Sequence, residues 1–261
     1  MADNLIRPSG WHLWANCPGS LAMRPAEEPP VGDAAHEGTV AHYIAARALK
    51  GFNERPQDFI GTEILVAKLG DETAAIPTVK FNGVGEVLYR CTVTPYMAEC
   101  VEKYIEYISS FQNGLSISYV EQSLPLKWLA GEDGAEGTPD SVVFDGRHLH
   151  VFDLKYGREK IKAEGNLQLV CYAMSAFKTH IKTPNDIPIS MHICQPQINH
   201  FEEWTIPIQE LIERVRSAYV HATTALNILK KSTETDSPEK KYGPGDSIDF
   251  DIEDNGQVKL F

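Results

Sequence analysis

Gly137-Thr138-Pro139-Asp140, followed thirteen residues on by Asp153-Leu154-Lys155, is the stretch on which the reading of this 261-residue chain turns. Between these motifs, Val142, Val143, Phe144, Val151 and Phe152 give two short runs rich in β-branched and aromatic residues, separated by Asp145-Gly146. Residues 140–144 and 148–155 therefore predict a β-hairpin. Asp140 begins its first arm and Asp153 lies near the end of the second, so the two carboxylates come close together. Asp153 and Lys155 are two apart on a strand and share a face. Leu149, Val151 and Phe152 precede them, which puts the charged pair at the end of a buried strand. Desolvated charges there need a partner or an ion. Two acidic oxygens at short range suit a hard dication such as magnesium or manganese. A neighbouring lysine can hold a water or a phosphate oxygen. Taken alone, Asp-x-Lys is usually an ordinary ion pair at a strand end.

Outward from the hairpin, the pattern alternates between helix and strand. Residues 97–111 carry Met97, Val101, Tyr104, Ile105, Ile108 and Phe111 at helical spacing, and residues 116–124 alternate as a strand. Residues 163–177 predict a helix, 187–194 and 201–206 strands, and 208–229 a long amphipathic helix. Helix, three strands, helix, two strands, helix is the order of an α/β fold with a mixed central sheet flanked by helices. Residues 8–22, with Trp11, Leu13, Trp14 and Leu21, predict an N-terminal helical segment capped by Ser9. Residues 39–50 predict another helix, ended by Gly51. Residues 52–96 are weakly patterned and read as short strands or an insertion. One domain is expected over residues 1–231, with a flexible acidic tail over 232–261.

Composition narrows the class. The chain is 43% hydrophobic and 23% charged, ordinary for a folded protein, and no apolar run reaches 18 residues, so no membrane span is expected. Residues 1–4 lack a basic-then-apolar leader, so a cytoplasmic location is expected. The five cysteines are irregularly spaced and read as reduced thiols. Net charge is −12; the last thirty residues hold eight acids and three lysines, leaving −7 on residues 1–231. Any contact with a polyanion then depends on local cations and metal ions. Lys155, Arg158, Lys160 and Lys162 supply such a cluster beside the hairpin, with Lys178 near it; a solvated basic turn is the plain alternative.

Two further elements add to the hairpin. Gln168 and Tyr172, four apart, share a helix face and can meet a phosphodiester backbone or steer Lys155. His42, in Gly38-Thr39-Val40-Ala41-His42, offers an imidazole ligand. The ordered set Gly-Thr-x-x-His, Glu121, Gly-x-x-Asp, Asp-x-Lys and Gln-x-x-x-Tyr resembles the RecB-like branch of the PD-(D/E)XK nucleases. Residues 9–18 look like the short helical motif that precedes that domain in phage and CRISPR-associated relatives. The resemblance covers about residues 8–206 and is firmest at 36–43, 119–122 and 137–173. It implies a restriction-endonuclease-like core. His42, Asp140, Asp153 and the Leu154 carbonyl would then hold Mg2+ or Mn2+, Lys155 would be the catalytic lysine, and Glu121 would stand near the metal. Gln168 and Tyr172 would face the nucleic acid, and the basic cluster with Arg158 and Lys160, read from local charge and not from the resemblance, would add substrate contacts beside the site. Several RecB-like nucleases hold an iron–sulfur cluster, but this chain has no Cys-x-x-Cys, so none is expected.

The leading expectation is a metal-dependent deoxyribonuclease of phage or prophage origin in a bacterial host. It would act more as an exonuclease than an endonuclease, in recombination, repair or DNA processing, alone or with a recombination or annealing protein. The alternative is a catalytically silent nuclease-fold module that binds DNA or a protein. A hydrolase acting on another phosphoester is a third reading.

Overall fold

The computed structural model describes residues 6–23, 31–70, 72–130, 135–181, 186–234, 251–252 and 258–259. Near the N-terminus, 3-10 turns at Pro8–Gly10 and Pro18–Leu21 flank the short helix α1 (Trp11–Trp14). Helix α2 (Asp33–Leu49) leads into β1 (Glu63–Leu69), β2 (Glu72–Pro77) and β3 (Glu86–Thr92), an antiparallel sheet ordered β2-β1-β3. Next come α3 (Pro95–Ser109), β4 (Ile117–Val120), β5 (Leu124–Pro125), α4 (Lys127–Ala130) and β6 (Glu136–Gly137). The hairpin follows as β7 (Ser141–Phe144) and β8 (Leu149–Leu154). The chain continues through α5 (Leu167–His180), β9 (Pro188–Gln195), β10 (His200–Pro207) and α6 (Ile208–Glu234). In the acidic tail, β11 (Asp251–Ile252) pairs with β12 (Val258–Lys259); the flexible tail expected there otherwise lies outside the described residues.

The fold is mixed α/β. Its central sheet is ordered β10-β9-β8-β7-β4, and β8 runs parallel to β9 while the other pairs are antiparallel. The parallel pair needs a crossover, which α5 supplies. All six residues of β8 are buried, because helices cover both faces of the sheet. Leu149 and Val151 join a core with Leu169, Val170 and Ala173 of α5 and Leu211 and Val215 of α6. Phe152 and Leu154 point the other way, into a core with Val40 and Ile44 of α2 and Val101, Tyr104 and Ile108 of α3. Trp14, Leu129, Ala218 and Ala222 belong to a third cluster, which seats the N-terminal segment on α6.

Several boundaries differ from the sequence reading, each for a local reason. The N-terminal segment is not one helix: Pro18, with no N–H to donate, starts a second turn, and Ser9 lies inside the first turn rather than capping it. Helix α2 begins six residues earlier than expected, with Asp33 in its first turn, and Gly51 at φ 74 follows its end. Residues 52–96 hold the small antiparallel sheet. The strand expected over 116–124 is interrupted: β4 stops at Val120, and Leu124 pairs instead with Gly137. Helix α5 starts at Leu167, because Gly165 takes φ 76 and the Asn166 side chain accepts the N–H groups of Gln168 and Leu169. Helix α6 carries on past Lys231 to Glu234. Among the described residues, no helix is long and apolar enough to cross a membrane.

Phe152 lies wholly buried at the centre of this arrangement. Phe152→Ala should cost about 3–5 kcal/mol, read as a lower denaturant midpoint. A loss under about 1 kcal/mol would show that β8 is not the centre of the core.

Candidate functional site

The hairpin register brings the acidic residues together. Ser141 pairs with Phe152, so Asp140 and Asp153 follow as neighbours at one end of β7 and β8. The Asp145 side chain accepts the N–H groups of Arg147 and His148, and Gly146 at φ 93 completes the turn, which holds that register from the far end. At the near end, one Asp140 carboxylate oxygen accepts the Leu154 amide at 2.6 Å. The other lies 3.0 Å from Nδ1 of His42, on α2. The Asp140 carbonyl accepts the Glu121 amide at 3.1 Å, where the chain leaves β4. Glu121 there adopts φ 48, a left-handed conformation that costs a non-glycine residue on the order of 1 kcal/mol. The kink ends β4 and brings the Glu121 carboxylate to the same place. Ligand atoms of His42, Glu121 and Asp140 all lie within 4.8 Å of one another.

A second chain of contacts runs from Asp153 to α5. Lys155 Nζ is 2.9 and 3.2 Å from the two Asp153 oxygens, and it donates to Gln168 Oε1 at 3.0 Å. Gln168 Nε2 in turn donates to the Tyr172 hydroxyl at 3.3 Å. The Tyr172 ring is positioned by a close approach of Gly137. A Cβ on that residue would lie 2.8 Å from Tyr172 Cε1 and 2.7 Å from Leu126 Cδ1. The glycine of Gly-Thr-Pro-Asp is thus required by packing against the helix that steers Lys155.

The electrostatics are those of crowded carboxylates. Burial pushes the Glu121 carboxyl up to about 7, and Asp140 adds to the rise. Burial likewise raises Asp153 to about 6, against the pull of Lys155. Desolvation alone would lower the His42 imidazolium, but Asp140, Glu121 and Asp153 outweigh it and lift the group to about 9. Lys155 is held above its ordinary value by Asp153 despite its burial. Excess desolvated negative charge is what a divalent cation would relieve, and one imidazole with two carboxylates is a workable donor set for Mn2+ or Mg2+.

Of the residues picked out from sequence, His42, Glu121 and Asp140 thus form one group, and Asp153, Lys155, Gln168 and Tyr172 form the adjoining contact chain. Asp153 is not in the three-ligand group; its oxygens meet Lys155. The Leu154 amide, not its carbonyl, makes the observed contact with Asp140. Arg158 and Lys160 are exposed on the loop after β8, and Arg158 Nε donates to Gln197 Oε1 at 3.3 Å. Two neighbours escaped the sequence reading. The fully buried Gln195 amide donates to the carbonyls of Glu159 (2.7 Å) and Gly157 (3.4 Å) and accepts the Ile161 amide (2.8 Å), which pins the basic loop. Among the described residues, Tyr104 presents a buried hydroxyl without a hydrogen-bond partner, and burial, with the nearby negative charge of Asp140, raises its proton affinity well above the usual phenol range. Its place in the apolar stripe of α3 makes it read as core.

A family model described as "Protein of unknown function (DUF2800)" matches residues 4–259. The chain belongs to this family. The DUF2800 match spans every residue of the site and both of its supporting helices.

The raised groups set the sign of a pH effect. His42 and Glu121 bind protons more tightly in the folded state than in the unfolded chain. Their contribution is therefore complete at low pH and is lost as pH rises through about 7 for Glu121 and about 9 for His42. In EDTA, the melting temperature should fall across that window. Added Mn2+ should restore more of it as pH rises, because a cation needs deprotonated ligands. A flat profile in EDTA, or a Mn2+ effect independent of pH, would contradict this electrostatic assignment.

Proposed function

We propose that the chain is a metal-dependent deoxyribonuclease with a RecB-like PD-(D/E)XK core. The observation that carries the reading is the placement of Asp140, Asp153 and Lys155 at adjoining strand ends, with Lys155 bonded to Gln168 of the crossover helix. The order of three antiparallel strands, crossover helix and parallel strand supports the same reading.

A divalent ion held by His42, Glu121 and Asp140 would polarise a scissile phosphate and lower the pKa of an attacking water. Lys155 stays protonated beside Asp153, so it acts as a fixed positive charge that holds a phosphate oxygen or orients a water, and not as a base. Gln168 fixes that ammonium from the α5 side, and Tyr172 holds the Gln168 amide. Arg158 and Lys160, on the loop clamped by Gln195, supply local positive charge for the phosphodiester backbone on a chain of net charge −12. The competing reading, a silent module that binds DNA or a protein, draws on the direct His42–Asp140 and Lys155–Asp153 pairs, which satisfy the charges internally.

End-labelled linear DNA and closed circular DNA, incubated in EDTA, Mg2+ or Mn2+, separate the readings. A nuclease acting from ends degrades the linear substrate only when the metal is present and spares the circle. Asp140→Asn, Asp153→Asn and Lys155→Ala should each slow cleavage on the order of a thousandfold. Gln168→Ala and Tyr172→Phe should impair DNA handling without loss of metal binding. Near-normal cleavage by either aspartate variant would sink the catalytic assignment. DNA binding without metal-dependent cleavage would favour the silent module.

A further inference from the structure

At the opposite end of β8 from Asp153, a second group of metal-binding side chains is assembled, independent of the nuclease reading. His148, His150 and Glu203 each offer a ligand atom, and these atoms lie within 4.8 Å of one another. His148 immediately precedes β8, His150 lies on it and Glu203 lies on β10, with β9 between the two strands. The His148 and His150 rings stack at 4.0 Å between centroids. Apolar side chains would pack this sheet face at lower cost, so the imidazoles call for another account.

We propose that His148, His150 and Glu203 form a binding site for a transition-metal dication, with zinc the best chemical match. Two imidazoles and one carboxylate are a borderline-soft set that suits zinc, with one position left for water; magnesium and calcium prefer oxygen ligands throughout.

The contacts behind these side chains are compatible with tautomers that leave one ring nitrogen of each histidine without a proton. His150 Nδ1 lies 3.1 Å from His192 Nε2, and His192 Nδ1 lies 3.1 Å from the Tyr107 hydroxyl. With the proton of His150 on Nδ1, that nitrogen donates to His192, which donates onward to Tyr107, and His150 Nε2 keeps its lone pair for a metal. A ligating histidine is typically oriented by such a bond from its other nitrogen. His148 Nε2 lies 2.7 Å from Ser190 Oγ, which donates to Glu203 Oε1 at 2.6 Å; Thr205 Oγ1 donates to the same oxygen at 2.9 Å. Each of the three side chains is therefore held through one of its two possible ligand atoms.

Zinc titration of the full chain by calorimetry tests the proposal. His42→Ala serves as the background, because it disables the first group while leaving the second intact. That variant should bind one equivalent of zinc. Because His150 is buried and its removal threatens folding, the decisive changes are His148→Ala and Glu203→Gln, at a half-buried and an exposed position. Each, added to His42→Ala, should weaken zinc binding at least about tenfold with the far-ultraviolet circular dichroism unchanged. Absence of saturable zinc binding in the His42→Ala chain, or equal affinity in all three proteins, would overturn the proposal.

Discussion

The 2.6 Å hydrogen bond from the Leu154 amide to the Asp140 carboxylate is the contact on which the site depends. It ties the start of β7 to the end of β8 just beyond their ladder, where Asp153 and Lys155 emerge from the core. A carboxylate that accepts a buried amide is charge-assisted and directional, so Asp140 has little freedom to rotate. Its second oxygen is thereby presented to His42, and its carbonyl to the Glu121 amide. Three elements distant in sequence, α2, the end of β4 and the hairpin, thus converge on one side chain.

Around that contact the fold places charge in partly buried surroundings. The two faces of β8 are covered by separate cores, and both end against the charged cluster: Leu154 on the α2 and α3 side, Val151 on the α5 side. Burial raises the proton affinity of Glu121 and Asp153, while His42 and Lys155 stay positive beside them. In the nuclease proposed above, this balance would suit a cation and an anionic substrate brought in together, and the basic loop pinned by Gln195 would provide the approach.

The hairpin and the pairing of Asp140 with Asp153 were legible because they are local: alternation, Asp145-Gly146 and a two-residue spacing state them within about 20 residues. The stripe on α3 follows from an equally short pattern, whereas the helix expected from residue 163 begins only at Leu167, after Gly165 and the Asn166 cap. Glu121 was visible as a residue but not as a kink, since its left-handed backbone is imposed by the bond to Asp140. The small sheet was obscured because β1 is apolar in a continuous run and Leu88 interrupts the polar side of β3, although burial along β3 alternates throughout. Gln195 and Tyr104 sit in apolar runs and acquire their roles from loops and carboxylates far along the chain. The division of labour between Asp140, in the ligand group, and Asp153, on Lys155, is likewise tertiary. So is the meeting of His148 and His150 with Glu203, fifty residues away.

His42, Glu121 and Asp140 are proposed to hold one cation beside the Asp153–Lys155 pair. Diffraction from crystals of the full chain equilibrated with MnCl2, recorded where manganese scatters anomalously, tests this directly. A manganese peak bonded to side-chain atoms of all three residues, with Lys155 adjoining Asp153, is the result expected. Crystals that hold manganese elsewhere, or leave the His42–Asp140 contact closed with no ion at Glu121, would contradict it.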